Sequence, residues 1–366
     1  MNITNIPIDN IITIFNILEV TDIINIYQTN KYFNKIIKEN KYFITNKYYE
    51  VFNYKNYKFV TNLLPNIKII YNDDYSHPSI RKNSYEILSS NFLYKLTMPF
   101  NSILPIMTST LNSLIMSYSN VIDISNIKYL TNLEELNIWN CRRIDDFSSL
   151  EYCKLKILNL GNTNIKVLPN IPTLTSLDIS DSCMLEDISS LSNCNNFKKI
   201  IFNGNINLRI FDGLKNHKIE YIGIDNMSLL QITNIIKFIN GEYIKTFHFN
   251  NYGFYRGFCS EEIINKVSKW KLLESLCLSN VIIENLNFIS YFKNLNYLVI
   301  NNVIVDNQIL FDIKPILSLK IKHLDLSKMK NLLFDIYEVK EHFKNADVIK
   351  MPEPYKTVKW YGYWYS

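Results

Sequence analysis

An α/β solenoid is the fold this sequence predicts: short strands stacked into a curved parallel β-sheet, each followed by a 3₁₀ or short helical return, behind a small all-helical segment. Three observations carry the prediction. A nine-residue frame recurs along the 366-residue chain from Leu64 onward. The composition favours strand and turn residues, with 56 Ile and 50 Asn against a single alanine, Ala346. Before Leu64 the frame is absent, and apolar residues recur at helical spacing instead.

The frame is clearest at Leu133 (LEELNIWNC), Leu155 (LKILNLGNT), Leu174 (LTSLDISDS) and Leu273 (LESLCLSNV). Each fits L-x-x-L-x-L-x-x-(N/C/T/S), the strand half of a leucine-rich repeat. With Ile, Phe, Met or Ala substituting, it also sets at Leu64, Leu93, Leu111, Phe197, Ile219, Ile244, Leu295, Ile321 and, weakly, Ala346. The starts lie 18 to 29 residues apart, which predicts 12 to 13 repeats. Alternate residues of a strand face opposite sides, so the leucine-like positions point inward and the intervening ones toward solvent. One repeat cannot bury its apolar stripe; stacked neighbours make a continuous core. The second halves, such as 144–154 and 185–194, carry apolar residues at spacings of about three, which suits 3₁₀ returns. The ninth position reads Asn72, Asn101, Ser119, Cys141, Thr163, Ser182 and Asn205, then Met227, Tyr252, Val281, Val303 and Met329. This polar ladder fades toward the C-terminus, where the turns need another support.

Composition excludes several function classes. The net charge of +5 is carried by dispersed lysines, 34 against five arginines, with no basic block, which argues against nucleic-acid binding. No window of about 20 uninterrupted apolar residues exists, so no membrane partner is expected. The first ten residues lack the basic and apolar regions of a signal peptide, so the expected location is cytoplasmic. The six cysteines form no CxxC pair and read as reduced, mostly packed thiols. Nucleotide, metalloprotease and serine-hydrolase motifs are all missing, and the five histidines are far apart. No catalytic residue, metal site or cofactor is expected. Asp145 and Asp146 fall in a turn, where side-chain capping accounts for them.

Residues 1–46 read as three short helices. Ile8, Ile11, Ile12, Phe15 and Leu18 recur at helical spacing behind Pro7; Thr21 and Asp22 offer an N-cap ahead of Ile23, Ile24, Ile26 and Tyr27; Lys31, Tyr32, Phe33, Ile36 and Ile37 continue a third helix. So small a cluster must rest an apolar face on something else. The string from Ile6 to Phe43 resembles an F-box. Ile6 and Pro7 stand at its opening Leu-Pro, Ile14, Phe15 and Leu18 at its first-helix apolar positions, Asp22, Ile23 and Ile24 at its Asp-Leu-Leu, and Tyr42 and Phe43 at its closing Leu-Trp. Ile replaces most Leu, and Phe43 replaces Trp.

An F-box ahead of leucine-rich repeats resembles the F-box/LRR family, and the Ile, Asn and Lys bias resembles its members in giant amoebal viruses or AT-rich protists; for a viral member the location would be the host cytoplasm. The resemblance implies a substrate receptor of an SCF-type ubiquitin ligase, with the F-box on a Skp1-like adaptor, the adaptor on a cullin, and an unknown target protein on the repeats. It places Ile6, Pro7, Ile14, Leu18, Ile23 and Ile24 at the adaptor. The alternative is that these residues form only the core of a helical cap on an interaction scaffold. The predicted organisation is then 1–46 F-box-like, 47–63 a helical linker or cap, 64–352 the solenoid and 353–366 an aromatic tail.

A target would meet the solvent-facing strand positions, among them Trp139, Asp178, Asp225, His248, Tyr297 and Asp325. This face reads polar and weakly acidic. Trp139 is either an anchor for a partner or a ring half-buried against a neighbouring strand. Gly253 and Gly257 bracket Phe254, Tyr255 and Arg256 in a long repeat, as either a contact loop or an ordinary rim loop. The tail KWYGYWYS either caps the last repeat or folds into the concavity.

Overall fold

The computed structural model describes residues 6–45, 47–51, 54–72, 87–250, 261–281, 285–301, 311–329 and 332–352. Two compact units divide the chain, Met1–Leu177 and Asp178–Ser366.

The N-terminal unit opens with helices Ile8–Ile17, Val20–Thr29 and Lys31–Asn40. Ile11, Phe15, Val20, Ile23, Ile36 and Ile37 are buried among them, and the Phe15 and Phe33 rings meet edge to face at 5.9 Å. Pro7 caps the first helix, its carbonyl accepting from the Asn10 and Ile11 amides. The second helix starts earlier than its sequence suggests. Glu19 is its N-cap, without a side-chain bond, and Asp22 sits in the first turn, where its charge favours the helix dipole. Asn30 accepts from the amides of Tyr32 and Phe33, ending one helix and beginning the next. Asn16 donates to the Phe43 carbonyl and accepts from the Thr45 amide, while the Lys47 ammonium donates to the carbonyls of Asn16 and Leu18. The chain that leads into the sheet thereby satisfies the Asn16 and Leu18 carbonyls at the end of the first helix.

Sequence predicts 47–63 as helical, but only Tyr54–Leu63 is a helix. Tyr48–Val51 is the first strand of the sheet. Two tyrosines and a fully buried Val51 suit a strand there, although no repeat frame marks it. Lys68–Asn72, Leu93–Thr97, Ser113–Ile115, Glu135–Asn137 and Ile157–Asn159 follow in chain order, all parallel. Strand Ser176–Asp178 contains the boundary between the units. In the C-terminal unit Lys199–Asn203, Tyr221–Asp225, Thr246–Asn250, Ser275–Ser279, Tyr297–Asn301, His323–Asp325 and Val348–Lys350 are likewise parallel and in order.

Register follows the frame: Glu135 pairs with Ile157, and Tyr221 with Thr246, each the third position of its repeat. Positions one, four, six and nine are buried, as in Leu133, Leu136, Ile138 and Cys141, none of which has exposed surface. Burying each large apolar side chain contributes about 1.5–3 kcal/mol. Returns run as 3₁₀ turns at Ser125–Tyr129, Ser148–Tyr152, Ser189–Asn193, Asp212–Leu214 and Asn287–Tyr291. Asp123, Asp146, Asp187 and Asn285 each accept the amide two residues on, at the mouth of a return. Asp146 is thus a turn residue, as its position in the sequence suggests. Cys141, Cys153 and Cys194 are buried thiols, and burial pushes the first two up to about 11.

Two repeating devices close the strands. The eighth position adopts a left-handed backbone in six consecutive repeats, at Tyr118, Asn140, Asn162, Asp181, Gly204 and Asn226, and again at Asn280. Asn, Asp and Gly tolerate this conformation best. The amide at this position donates to the seventh-position carbonyl of the next repeat, as Asn140 does to Gly161 (2.8 Å), Gly204 to Asp225 (3.1 Å) and Asn280 to Asn301 (3.0 Å). At Cys141 and Asn205 the ninth side chain reaches the other way. The Cys141 thiol donates to the Met116 carbonyl, and the Asn205 amide group to the Ile179 carbonyl, both at the sixth position of the preceding repeat.

Candidate functional site

Two surfaces hold the residues that the sequence points to. On the helices, Pro7 is exposed, Ile14 is 46% exposed, and Ile6, Leu18 and Ile24 are half-buried. Ile23 has no exposed surface at all. It belongs to the core of the helices and leaves nothing for a partner to touch. Ile8, Ile17, Tyr42 and Phe43 are also exposed, Ile17 most of all at 77%. Ile17 and Phe43 lie at the same end of the helices, because Asn16 holds the Phe43 carbonyl. Ile14 and Ile17, three residues apart, form an outward stripe beside the buried one; their spacing was the available signal.

On the strands, Trp139, Asp178, Asp225, His248, Tyr297 and Asp325 are all half-buried. In the N-terminal unit Trp139 lies against Tyr118, ring centroids 4.8 Å apart, and across Gly161. A Cβ at Gly161 would run into the indole ring. Of the two readings of Trp139, the half-buried one describes its environment. Tyr118 beside it is the exposed member of the pair.

In the C-terminal unit Tyr221 reaches over Gly223, and its hydroxyl lies 3.0 Å from His248 Nδ1. Lys199 sits over the Tyr221 ring at 4.5 Å. Burial and this lysine lower the pKa of His248, so its imidazole is held neutral. Tyr297 stacks on His323 at 4.2 Å. The two aromatic and imidazole pairs come from residues that the frame places outward, but it does not show that they pair.

The carboxylates of this face are engaged. Asp178 accepts from the amide and hydroxyl of Ser180, and Asp325 from those of Ser327. Burial disfavours charge on Asp325, but the Ser327 bonds and Lys350 at 3.4 Å more than offset it and hold the carboxyl below its usual range. Asp225 accepts from Asn250, which accepts from Asn280, in a ladder across three repeats. The acidic face that the sequence suggests is therefore largely occupied by its own turns. Phe254, Tyr255 and Arg256, and the 353–366 tail, lie outside the described residues. Among the described residues no group of three His, Cys, Asp or Glu is placed to hold a metal ion, and no helix is long and apolar enough to cross a membrane.

What decides the fold is positional: inward leucine-like residues at one, four and six, a left-handed turn at eight and a buried ninth residue, repeated along parallel strands in both units. The fold is a leucine-rich-repeat solenoid. This leucine-rich-repeat chain is similar to an internalin from Listeria monocytogenes, at 18% identity and a TM-score of 0.47 over 89% of this chain and 92% of that one. It is also similar to TLR13 in a complex with ssRNA13, at 15% identity and a TM-score of 0.41 over 87% of this chain and 52% of that one. A third similar structure is a leucine-rich-repeat protein of Leptospira interrogans, at 15% identity and a TM-score of 0.33 over 79% and 91%. No family model matches the chain, and no curated protein matches it.

Proposed function

We propose that this chain is a non-catalytic interaction protein whose repeats hold a target protein and whose N-terminal helices dock a Skp1-like adaptor, as the substrate receptor of a cullin-based ubiquitin ligase. The observation that carries this reading is the exposed apolar set Ile8, Ile14, Ile17, Tyr42 and Phe43 on helices whose own core is complete without it. Ile14, Tyr42 and Phe43 stand at positions of the F-box resemblance. In such a role the chain supplies proximity, and the transfer chemistry belongs to other subunits. On the strand face, Tyr118 with Trp139 and Tyr297 with His323 are the aromatic contacts available to a target.

A second reading has an observation of its own. Asn16 and Lys47 tie the first helix to the chain that enters the sheet, as a cap on an interaction scaffold with no ligase role would require. Co-precipitation with the Skp1-like adaptor and cullin separates the two. The wild-type chain is expected to retain both, and Ile14→Asp with Ile17→Asp to lose them while its melting temperature stays within a few degrees. A wild-type chain that retains no adaptor leaves the scaffold reading.

A further inference from the structure

Where the returns of the Phe197 and Ile219 repeats lead back to their next strands, the C-terminal unit holds a cleft of about 870 Å³. Its walls carry Lys215, Lys218 and Lys237, with Phe238, Tyr243 and the buried His217 between them, and no carboxylate lines it. Lys215 extends over the Phe238 ring at 5.0 Å and Lys218 over the Tyr243 ring at 5.4 Å. An ammonium seated on an aromatic face has its stem packed and its charge directed, so two of the three cations are held in place rather than free in solvent. Lys237 closes the helix Leu229–Phe238, where a cation also favours the dipole. Lys215 pairs with Asp212 at the cleft's edge; Lys218 and Lys237 form no ion pair among the described residues.

Three like charges converging on one cleft repel one another, and a multivalent anion relieves that repulsion. The cleft is larger than a single small anion requires and lies within the size range of ligand sites. Lysines act as compact point charges and make no planar fork, which suits carboxylates spaced along a chain. The aromatic walls offer apolar surface to the intervening carbons. We propose that this cleft binds an acidic segment of a protein partner, two or more carboxylates on an extended chain meeting Lys218, Lys237 and, by displacing Asp212, Lys215. The site is independent of the helices and stands whether or not they dock an adaptor.

The test is fluorescence anisotropy of the full chain with a fluorescein-labelled octaglutamate peptide, no adaptor being present. Lys218→Glu with Lys237→Glu is expected to weaken binding by about tenfold or more. Lys154→Glu with Lys166→Glu makes the same charge change at exposed lysines outside the cleft and is expected to weaken it by less than about twofold, through screened long-range attraction alone. Equal weakening in both pairs, or no binding by the wild type, overturns the proposal. Displacement of the peptide by inorganic phosphate at matched charge concentration also overturns it, because the cleft would then be a site for small anions.

Discussion

Repeats that begin at Leu111, Leu133, Leu155, Leu174 and Phe197 close their strands on a buried polar residue, Ser119, Cys141, Thr163, Ser182 or Asn205. Those that begin at Ile219, Leu273 and Ile321 close on Met227, Val281 and Met329, equally buried. The turn is the same in both sets wherever its backbone matches, as at Asn140 and Asn280. What differs at Met227 and Met329 is the return. The first set has starts 19 to 23 residues apart, with 3₁₀ turns or no helix at all, and ninth side chains there bond sixth-position carbonyls, as Cys141, Thr163 and Asn205 do. After Met227 and Met329 the chain forms the α-helices Leu229–Phe238 and Ile336–His342, and a helix has side chains to spare. Gln231 completes a capping box with Ser228 and donates to the carbonyls of Asn205 and Leu208 in the repeat before it. The fading of the polar ladder thus accompanies a helical return at Met227 and Met329, while the repeat closed by Val281 keeps the 3₁₀ return Asn287–Tyr291.

The largest effect expected from breaking this contrast is at Asn205. Asn205→Leu takes from the Asn203 amide its side-chain acceptor and leaves the Ile179 carbonyl with the Ser182 amide alone, and should cost about 1–3 kcal/mol, read from the urea midpoint. Met227→Leu, a swap of similar volume at the equivalent position, should cost less than about 1.5 kcal/mol. Equal losses in the two variants would show that the ladder polarity does not matter to stability. Next in size is the eighth position. Asn140→Ala forces a Cβ-bearing residue with no local hydrogen bond to hold φ at 59° and should cost about 1–2 kcal/mol, whereas Asn140→Gly should be close to neutral. Gln231→Ala removes the bond its side chain accepts from the Ser228 amide and its two donations, and should cost about 1 kcal/mol, with the loss falling on the Phe197 repeat. Hydrogen exchange of the Leu208 region reads that location directly.

These devices also mark how far the sequence is legible. Leucine spacing is enough to place Leu133, Leu136 and Ile138 inward, because strand periodicity and hydrophobicity coincide there. The eighth position is hidden. Asn is so common in this chain that its recurrence at Asn140, Asn162, Asn226 and Asn280 carries no contrast, and Tyr118 takes the same backbone with no hint from its chemistry. Its ring instead finds Trp139 across the repeat. Strand Tyr48–Val51 is hidden because it lacks the frame and is followed by a helix. On the helices, the F-box resemblance marks Ile14 and Ile23 alike, since a motif position does not separate a core residue from a surface one. The lysines of the cleft are spread between 215 and 237 and meet only once two returns lie side by side.

The smallest expected effect concerns charge, and it tests the two kinds of repeat together. Asp123 and Asp146 cap 3₁₀ returns of the polar-ladder set, and the Ser125 and Ser148 amides and hydroxyls hold their carboxyls below the usual range. Glu220 opens the strand that ends near Met227 and bridges Lys198 and Lys245 at 2.8 Å each; these bonds hold its carboxyl at about 2. A carboxyl depressed on folding contributes stability that is fully present above its unfolded pKa and is lost as pH falls through the folded one. The carboxyl contribution to the unfolding midpoint should therefore be flat from pH 7 to about 5 and decline between about 4.5 and 2, while the depressed His248 adds a loss that begins as pH falls through about 6.5. Glu220→Gln removes the two lysine bridges and should lower the midpoint slightly at pH 7 while making the decline shallower. Because the Glu220 bridges are partly exposed, high salt should shrink the difference between Glu220→Gln and wild type at pH 7. The Asp146 contribution, a hydrogen bond to its own turn, should survive that salt. A salt response of the same size in Asp146→Asn would mean that the returns are held by long-range charge rather than by their caps.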